Sequence, residues 1–189
     1  MQANIFTFGT GAQAGKPELA IGTGLEGANA ACFKLTWNYG KNANLQFNNL
    51  ASDKQDLSTY SEIRVTEKIE TRSGFNDPAS PTVVKLVIEG IDGAIWQTKA
   101  QNAVELASGA FHESIFKLSV HDMERVAGVV SFEDTIANIK NIRLRFENSQ
   151  QSNVLENAFI DSIIAYADPV SDPSIGTIIQ LGLIHFQTF

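Results

Sequence analysis

Apolar and charged side chains alternate along the stretch from Ile139 to Glu147. The apolar positions on one side of the extended chain are Ile142, Leu144 and Phe146. The charged positions on the other side are Arg143, Arg145 and Glu147. Because successive side chains of a β-strand point to opposite faces of its sheet, this rhythm predicts a strand with one core face and one solvent face.

Two further runs, Ser61–Glu70 and Thr82–Glu89, carry a similar alternation. Their core positions are predicted to be Ile63, Val65, Ile69, Val84, Leu86 and Ile88. Short β-favouring runs divided by Gly, Asn, Asp and Pro clusters extend the prediction to these strands: Asn4–Phe8, Glu18–Gly22, Ala30–Tyr39, Leu45–Phe47, Ser61–Glu70, Thr82–Glu89, Ile95–Lys99, Glu113–Val120, Lys140–Glu147 and Asn157–Tyr166. The sequence therefore predicts an all-β fold of two packed antiparallel sheets.

Helix-forming sequence is scarce. Ser131 and Asp134 stand three apart at the start of Ser131–Asn138, which is the spacing of a capping box. The segment is long enough for only one or two turns. We expect a short helical connector that leads into the strand at Lys140.

The length of 189 residues fits one domain, because a core of this size needs no metal or disulfide to support it. We place the sandwich domain at residues 1–167. Residues 168–189 form a C-terminal tail that begins with two Asp-Pro pairs and continues as an apolar run. We expect this tail to pack on the domain or on a neighbouring copy, which would make the protein a homo-oligomer.

The formal net charge of −7 repels phosphate backbones and anionic membrane surfaces. Nucleic acid is therefore excluded as an expected partner. No apolar stretch reaches the roughly 18 residues of a membrane span, and Met1–Thr10 lacks the pattern of a signal peptide. The single cysteine, Cys32, lies in an apolar run and is interpreted as a small core residue.

Three stretches resemble one group of known domains. They are a glycine-led early strand, a loop entering a central strand, and a closing strand pair: Gly27–Thr36, Asp56–Val65, and Ile139–Phe146 followed by Phe159–Ile163. Together they are similar to the jelly-roll domains of the galactose-binding-like and non-catalytic carbohydrate-binding module type. The resemblance implies a jelly-roll β-sandwich, a polysaccharide or oligosaccharide as partner, and an extracellular or periplasmic location.

In that group an aspartate of the closing strand often belongs to a structural calcium site. Asp161 matches this position. Calcium takes six to eight oxygen ligands, and Asn4–Gly11 holds no acidic residue, so Glu18 or Glu26 would have to contribute. The alternative is that Asp161 anchors a loop by hydrogen bonds. No other cofactor is expected.

Aromatic rings that could stack on a pyranose are the first candidates for a binding site. Trp37 and Tyr39 stand two apart on one predicted strand and so share a face, and Trp96 follows the Asp92-Gly93 turn signal at a predicted rim. The alternative is that both tryptophans are core or lid residues, because large aromatic side chains are usually mostly buried.

A polar face is the second candidate. If the three alternating strands share one sheet, their charged side chains come together: Arg64, Lys68, Lys85, Arg143 and Arg145 near Glu62, Glu89 and Glu147. Such a face could bind a sugar, including an acidic one through the guanidinium groups. The alternative is a solvated face of mixed charge.

Three functions are compatible with these residues. We expect a non-catalytic carbohydrate-binding domain. A glycoside hydrolase or polysaccharide lyase is the alternative. The three histidines lack metal-ligand spacing, and glutamates such as Glu62, Glu89 and Glu147 could form an acid pair, although nothing in their spacing singles them out. The third is a structural or self-association domain that acts through the C-terminal tail.

Overall fold

A computed structural model gives the fold of the protein and describes a set of residue ranges that covers most of the strands. These ranges are 6–7, 18–21, 31–38, 43–47, 50, 55–71, 83–99, 102–103, 110–147, 155–167 and 179–180. Within them the chain is built from strands that form two antiparallel sheets, with one short helix.

The first sheet, sheet A, has seven described strands. In spatial order they run β1, β4, β11, β6, β7 and β10, and β8 also pairs with β6. Their bounds are β1 Phe6–Thr7, β4 Ala43–Phe47, β6 Val83–Gly90, β7 Ile95–Thr98, β8 Asn102–Ala103, β10 Met123–Ala127 and β11 Ile139–Glu147.

The second sheet, sheet B, has six described strands. In spatial order they run β2, β3, β12, β5 and β9, and β13 also pairs with β12. Their bounds are β2 Glu18–Ile21, β3 Ala31–Asn38, β5 Glu62–Thr71, β9 His112–Lys117, β12 Leu155–Tyr166 and β13 Ile179–Gln180. The pairing of β13 joins part of the C-terminal tail to this sheet, and the rest of the tail lies outside the described residues.

The core lies between the two sheets and follows the predicted alternation. Ile142, Leu144 and Phe146 of β11 are buried in the same apolar cluster as Ile63 and Val65 of β5. Val84, Leu86 and Ile88 of β6 and Ile69 of β5 are buried in that cluster as well. The prediction of an all-β sandwich of two antiparallel sheets is therefore confirmed.

The short helix α1, Phe132–Ile136, lies where the sequence predicts a connector. Ser131 is its N-cap, since the Ser131 hydroxyl accepts a hydrogen bond from the Asp134 backbone N–H at 3.1 Å. Phe132 and Ile136 are buried in the core cluster. No helix in the described ranges is long and apolar enough to cross a membrane.

The sequence analysis missed β10, an edge strand of sheet A. Met123 is buried on it, while the four residues that follow, Glu124 to Ala127, are exposed. A strand with a single buried side chain has no two-residue rhythm to detect, and β10 is held by its pairing with β7. The two-residue strands β8 and β13 are too short for a sequence pattern and were also missed.

Candidate functional site

The outward side chains of sheet A line up in rows, because the strand register places residues of neighbouring strands side by side. One row crosses four strands from Gln46 through Arg143 and Val87 to Gln97. Gln97 donates a hydrogen bond to Glu124 of β10 at 2.6 Å, which extends the row to the edge strand. Amide, guanidinium and carboxylate groups thus surround the buried Val87.

A charged cluster occupies the centre of this face, and we call it the sheet A patch. Its members are Lys85, Glu89, Lys140, Arg143, Arg145 and Glu147. Glu89 contacts the guanidinium of Arg143 and lies 3.5 Å from the Lys140 Nζ. Glu147 lies 2.6 Å from the Arg145 Nε and 3.5 Å from the Lys85 Nζ. Each carboxylate therefore contacts two cations.

Three of the four cations of the patch are more exposed than its carboxylates. The Lys140, Arg145 and Arg143 side chains are 56%, 37% and 25% exposed, against 14% for Glu89 and 21% for Glu147. Lys85 is 13% exposed and lies as deep as the carboxylates. A molecule that approaches this face therefore meets Lys140, Arg143 and Arg145 first.

Arg64 does not join this patch, although the sequence analysis groups it there. It lies on β5 in sheet B, whereas Lys85, Arg143 and Arg145 lie on the neighbouring strands β6 and β11 of sheet A. Lys68 and Glu62 share β5 with Arg64. The prediction that the three alternating strands share one sheet is wrong, because the alternation of a strand says which side chains face outward but not which sheet the strand joins.

On the outer face of sheet B the carboxylates Glu62 and Glu113 are paired with cations. Arg64 donates to Glu62 at 2.6 Å and to Glu113 at 3.2 Å, and Lys117 donates to the other oxygen of Glu62. Although burial alone would raise the pKa of Glu62, the hydrogen bonds from Lys117 and Arg64 together hold it below its ordinary value. The hydrogen bond to Glu62 also raises the pKa of Arg64.

The aromatic rings on this face are covered by cations of the chain itself. The Arg64 guanidinium lies 4.3 Å from the centre of the Tyr166 ring. The Lys68 ammonium lies 4.4 Å from the ring centre of Phe159 and 5.3 Å from that of Phe111. These cation–π contacts occupy ring faces that a sugar would otherwise use.

Trp96 lies in the core and not on the rim. It is 8% exposed, and its ring packs edge-on against Phe132 with 5.4 Å between the ring centres. The register pairs Trp96 with the buried Ile88, so its side chain points between the sheets. The candidate role of Trp96 as a sugar-stacking ring at the rim is thereby corrected, and its burial agrees with the alternative of a core residue. The side chain of Trp37, on β3, and the whole of Tyr39 lie outside the described residues.

Asp161 lies on β12 at an irregularity in the pairing with β5, where the register shifts between Ile160 and Ser162. The described residues contain no group of three or more His, Cys, Asp or Glu side chains arranged to hold a metal ion. Glu26 is not among the described residues, and for Glu18 only the backbone is described. Calcium at Asp161 stays a prediction.

A buried carboxylate between the sheets was missed by the sequence analysis. Glu67 of β5 is 0% exposed, accepts a hydrogen bond from the Ser114 hydroxyl at 2.5 Å, and lies 3.6 Å from the His112 Nε2. Glu67 stands at the same alternating positions of β5 as Ile63, Val65 and Ile69, and this pattern predicts that its side chain points inward. Because it is sealed in the interior, Glu67 does not belong to an open site.

The acidic residues proposed for catalysis are far apart. Glu89 pairs with Asn141, and Glu147 pairs with Val83, six residues away from Glu89 on β6. Six residues of extended chain span about 20 Å, so the backbone positions of Glu89 and Glu147 are far apart. Glycoside hydrolases hold their two carboxyl groups about 5 to 9.5 Å apart. Glu62 lies in the other sheet, and the carboxyl groups of Glu89 and Glu147 are each held by an arginine, Arg143 and Arg145.

Comparisons with known proteins support the fold of the chain but assign it to no family. No family model matches the sequence, and no curated protein matches it either. Among solved structures, an exo-beta-agarase matches with a TM-score of 0.54 and 17% identity over 89% of this chain and 24% of that chain. The chain therefore spans about a quarter of the length of that enzyme.

Two structures of a carbohydrate-binding module match over nearly their whole length. The family 11 module of the cellulosomal cellulase Lic26A-Cel5E of Clostridium thermocellum has a TM-score of 0.53 and 10% identity over 89% of each chain. The family 11 module of Clostridium thermocellum in complex with a beta-1,3-1,4-mixed-linked tetrasaccharide has a TM-score of 0.50 and 11% identity, with 86% of this chain and 88% of that chain covered. The fold of this chain is thus a β-sandwich shared with such modules, as the sequence resemblance implied.

Proposed function

We propose that the protein is a non-catalytic carbohydrate-binding module whose ligand lies across the outer face of sheet A. The ligand class is a polysaccharide or an oligosaccharide. The observation that carries the proposal is the row from Gln46 through Arg143 to Gln97, because amide and guanidinium groups are suited to hydrogen-bond sugar hydroxyls.

The comparison with sheet B supports this choice of face. Rings on sheet B are covered by Arg64 and Lys68, so that face is already occupied by its own side chains. The full-length likeness to family 11 modules, one of them in complex with a mixed-linked tetrasaccharide, supports glycan binding as the role. The separation of Glu89 and Glu147 argues against a retaining or inverting hydrolase built on this pair. A glycan-binding role also fits an extracellular or periplasmic location.

Affinity electrophoresis in gels that contain single polysaccharides tests the proposal. The panel holds a neutral mixed-linked glucan, agarose, polygalacturonate and a sulfated carrageenan. We expect at least one polysaccharide to retard the protein, and Arg143→Ala to weaken that binding about tenfold, which corresponds to the loss of roughly 1.4 kcal/mol.

The control is Lys117→Ala on the outer face of sheet B, which removes one exposed cation and leaves sheet A unchanged. Its binding should equal that of the parent protein. No retardation by any polysaccharide would overturn the proposal. Release of reducing sugars from any member of the panel would overturn the non-catalytic assignment and favour the enzyme alternative.

A further inference from the structure

The sheet A patch carries an excess of positive charge in a protein that is acidic as a whole. Lys85, Lys140, Arg143 and Arg145 give four positive charges, Glu89 and Glu147 give two negative charges, and the difference is +2. The whole chain has a formal net charge of −7. The patch is therefore a region of positive charge in an acidic chain, and its field attracts anions to this face.

The arrangement of the cations destabilises the folded protein when no ligand is bound. Lys85 and Arg145 are direct partners in the register of β6 and β11, so two positive side chains stand opposite each other. Like charges in this position destabilise a sheet. Glu147 offsets the repulsion by contacting both of them, but a solvated face without a ligand would more simply place a carboxylate opposite each cation.

Stacking of a sugar on aromatic rings does not account for ligand binding at the described outer face of sheet A. Among the described outward side chains of β4, β6, β7 and β11, none is aromatic. Neutral pyranose rings are usually held by an aromatic platform together with hydrogen bonds. In this part of the chain, charge and hydrogen bonds are what the face offers to a ligand.

We infer that the sheet A patch selects an acidic glycan, one that carries carboxylate or sulfate groups. This inference rests on the proposed carbohydrate-binding function and names its ligand class. Guanidinium groups pair with carboxylate and sulfate oxygens in a forked geometry, and Arg143 and Arg145 project from the same face about 7 Å apart along β11. Gln46 and Gln97 flank Arg143 in its row and provide amides for the neighbouring hydroxyls.

The test compares three polysaccharides by affinity electrophoresis on the full chain: polygalacturonate for carboxylate, a sulfated carrageenan for sulfate, and mixed-linked glucan as the neutral ligand. We expect retardation by one or both acidic polymers and at least about tenfold weaker binding to the neutral one. Binding to the acidic polymer should fall when salt is raised from about 0.05 to about 0.5 M, because exposed charge pairs are screened.

Arg145→Gln and Lys85→Gln should each weaken binding to the acidic polymer about tenfold. Arg145→Lys keeps the charge but loses the forked geometry, so it should bind more tightly than Arg145→Gln and more weakly than the parent protein. The matched control is Arg125→Gln on β10. The Arg125 guanidinium donates to the Val129 carbonyl and lies 5.8 Å from the Trp96 ring centre, away from the patch, so this variant should bind like the parent.

The outcomes separate the inference from the proposed function. Binding to mixed-linked glucan in preference to both acidic polymers would overturn the acidic ligand and leave carbohydrate binding in place. Binding to none of the three would overturn the acidic ligand, and a further lack of binding to agarose would overturn carbohydrate binding as well. Binding to an acidic polymer that Arg145→Gln and Lys85→Gln leave unchanged would overturn the sheet A patch as the site.

Discussion

The outer faces of the two sheets carry the same residue types, but these residues make different contacts on the two faces. On sheet B, Glu62 is nearly buried beneath Arg64 and Lys117, and Arg64 and Lys68 cover the rings of Tyr166 and Phe159. On sheet A two carboxylates contact four cations, of which Lys140, Arg143 and Arg145 are more exposed than either carboxylate. The first face stabilises the fold, and the second is the face on which we propose that the ligand binds.

This difference shows that a charged sheet face cannot be interpreted from its residue types alone. Arg64 and Arg145 look equivalent in the sequence, because both follow the two-residue rhythm of a half-buried strand. Arg64 covers Tyr166 and joins two carboxylates, whereas Arg145 stands opposite another cation. The cross-strand neighbours decide which of the two is structural.

The largest expected effect comes from removing a ring on sheet B. Phe159 points to the outer face but is only 5% exposed, and Lys68 covers it. Phe159→Ala should lower the free energy of unfolding by about 3 kcal/mol, since it leaves a cavity under Lys68. Urea unfolding followed by circular dichroism measures the change. The matched variant is Ile115→Ala on the same face, where the side chain is 42% exposed and less than about 1 kcal/mol should be lost. Equal losses would mean that this face is not packed.

The next effect concerns Glu62, whose pKa is lower in the folded protein than its ordinary value of 4.5. A carboxyl group with a lowered folded pKa stabilises the protein fully above the unfolded pKa and loses this contribution as the pH falls. Glu62→Gln should therefore cost about 1 to 2 kcal/mol at neutral pH and flatten the decline of stability below about pH 4.5. Urea unfolding of both proteins at a series of pH values measures this.

Glu113→Gln, which removes only an exposed partner of Arg64, should cost less than about 1 kcal/mol. An unchanged pH profile in Glu62→Gln would contradict the role given to Glu62.

The smallest effect is expected on sheet A. Lys85→Gln removes one of two like charges that stand opposite each other, so the loss of its contact with Glu147 is offset. The free energy of unfolding should stay within about 0.5 kcal/mol of the parent value, while Arg64→Gln on sheet B should destabilise the protein by more than that. Thermal unfolding monitored by calorimetry distinguishes the two variants. A larger loss of stability in Lys85→Gln than in Arg64→Gln would contradict the structural role given to sheet B and the binding role proposed for sheet A.

The sequence predicted the sandwich because alternation is a local property. The buried side of β11 followed directly from the rhythm of Ile142, Leu144 and Phe146, and the cap of α1 followed from Ser131 and Asp134. These features depend on neighbours a few residues away along the chain. Strands and helix ends are therefore readable without knowing which elements meet.

The candidate site was only partly predictable, since it depends on pairing between distant segments. Lys85, Arg143 and Arg145 were identified as candidates, but the strand of Arg64 joins the other sheet. Trp96 was expected near a rim, and its register with Ile88 places it in the core. Glu67 was overlooked because a carboxylate between two sheets runs against the usual exposure of charged residues.

Mapping the bound ligand by nuclear magnetic resonance tests the central claim most directly. Amide proton–nitrogen correlation spectra would be recorded as a soluble oligosaccharide of the acidic polymer that retards the protein is added to the full chain. We predict that the shifted resonances cluster in β6 and β11, from Lys85 to Glu89 and from Arg143 to Glu147, with β5 and β9 unchanged. Shifts that cluster in β5, β9 and β12, or no shifts at all in β6 and β11, would contradict the assignment of sheet A as the binding face.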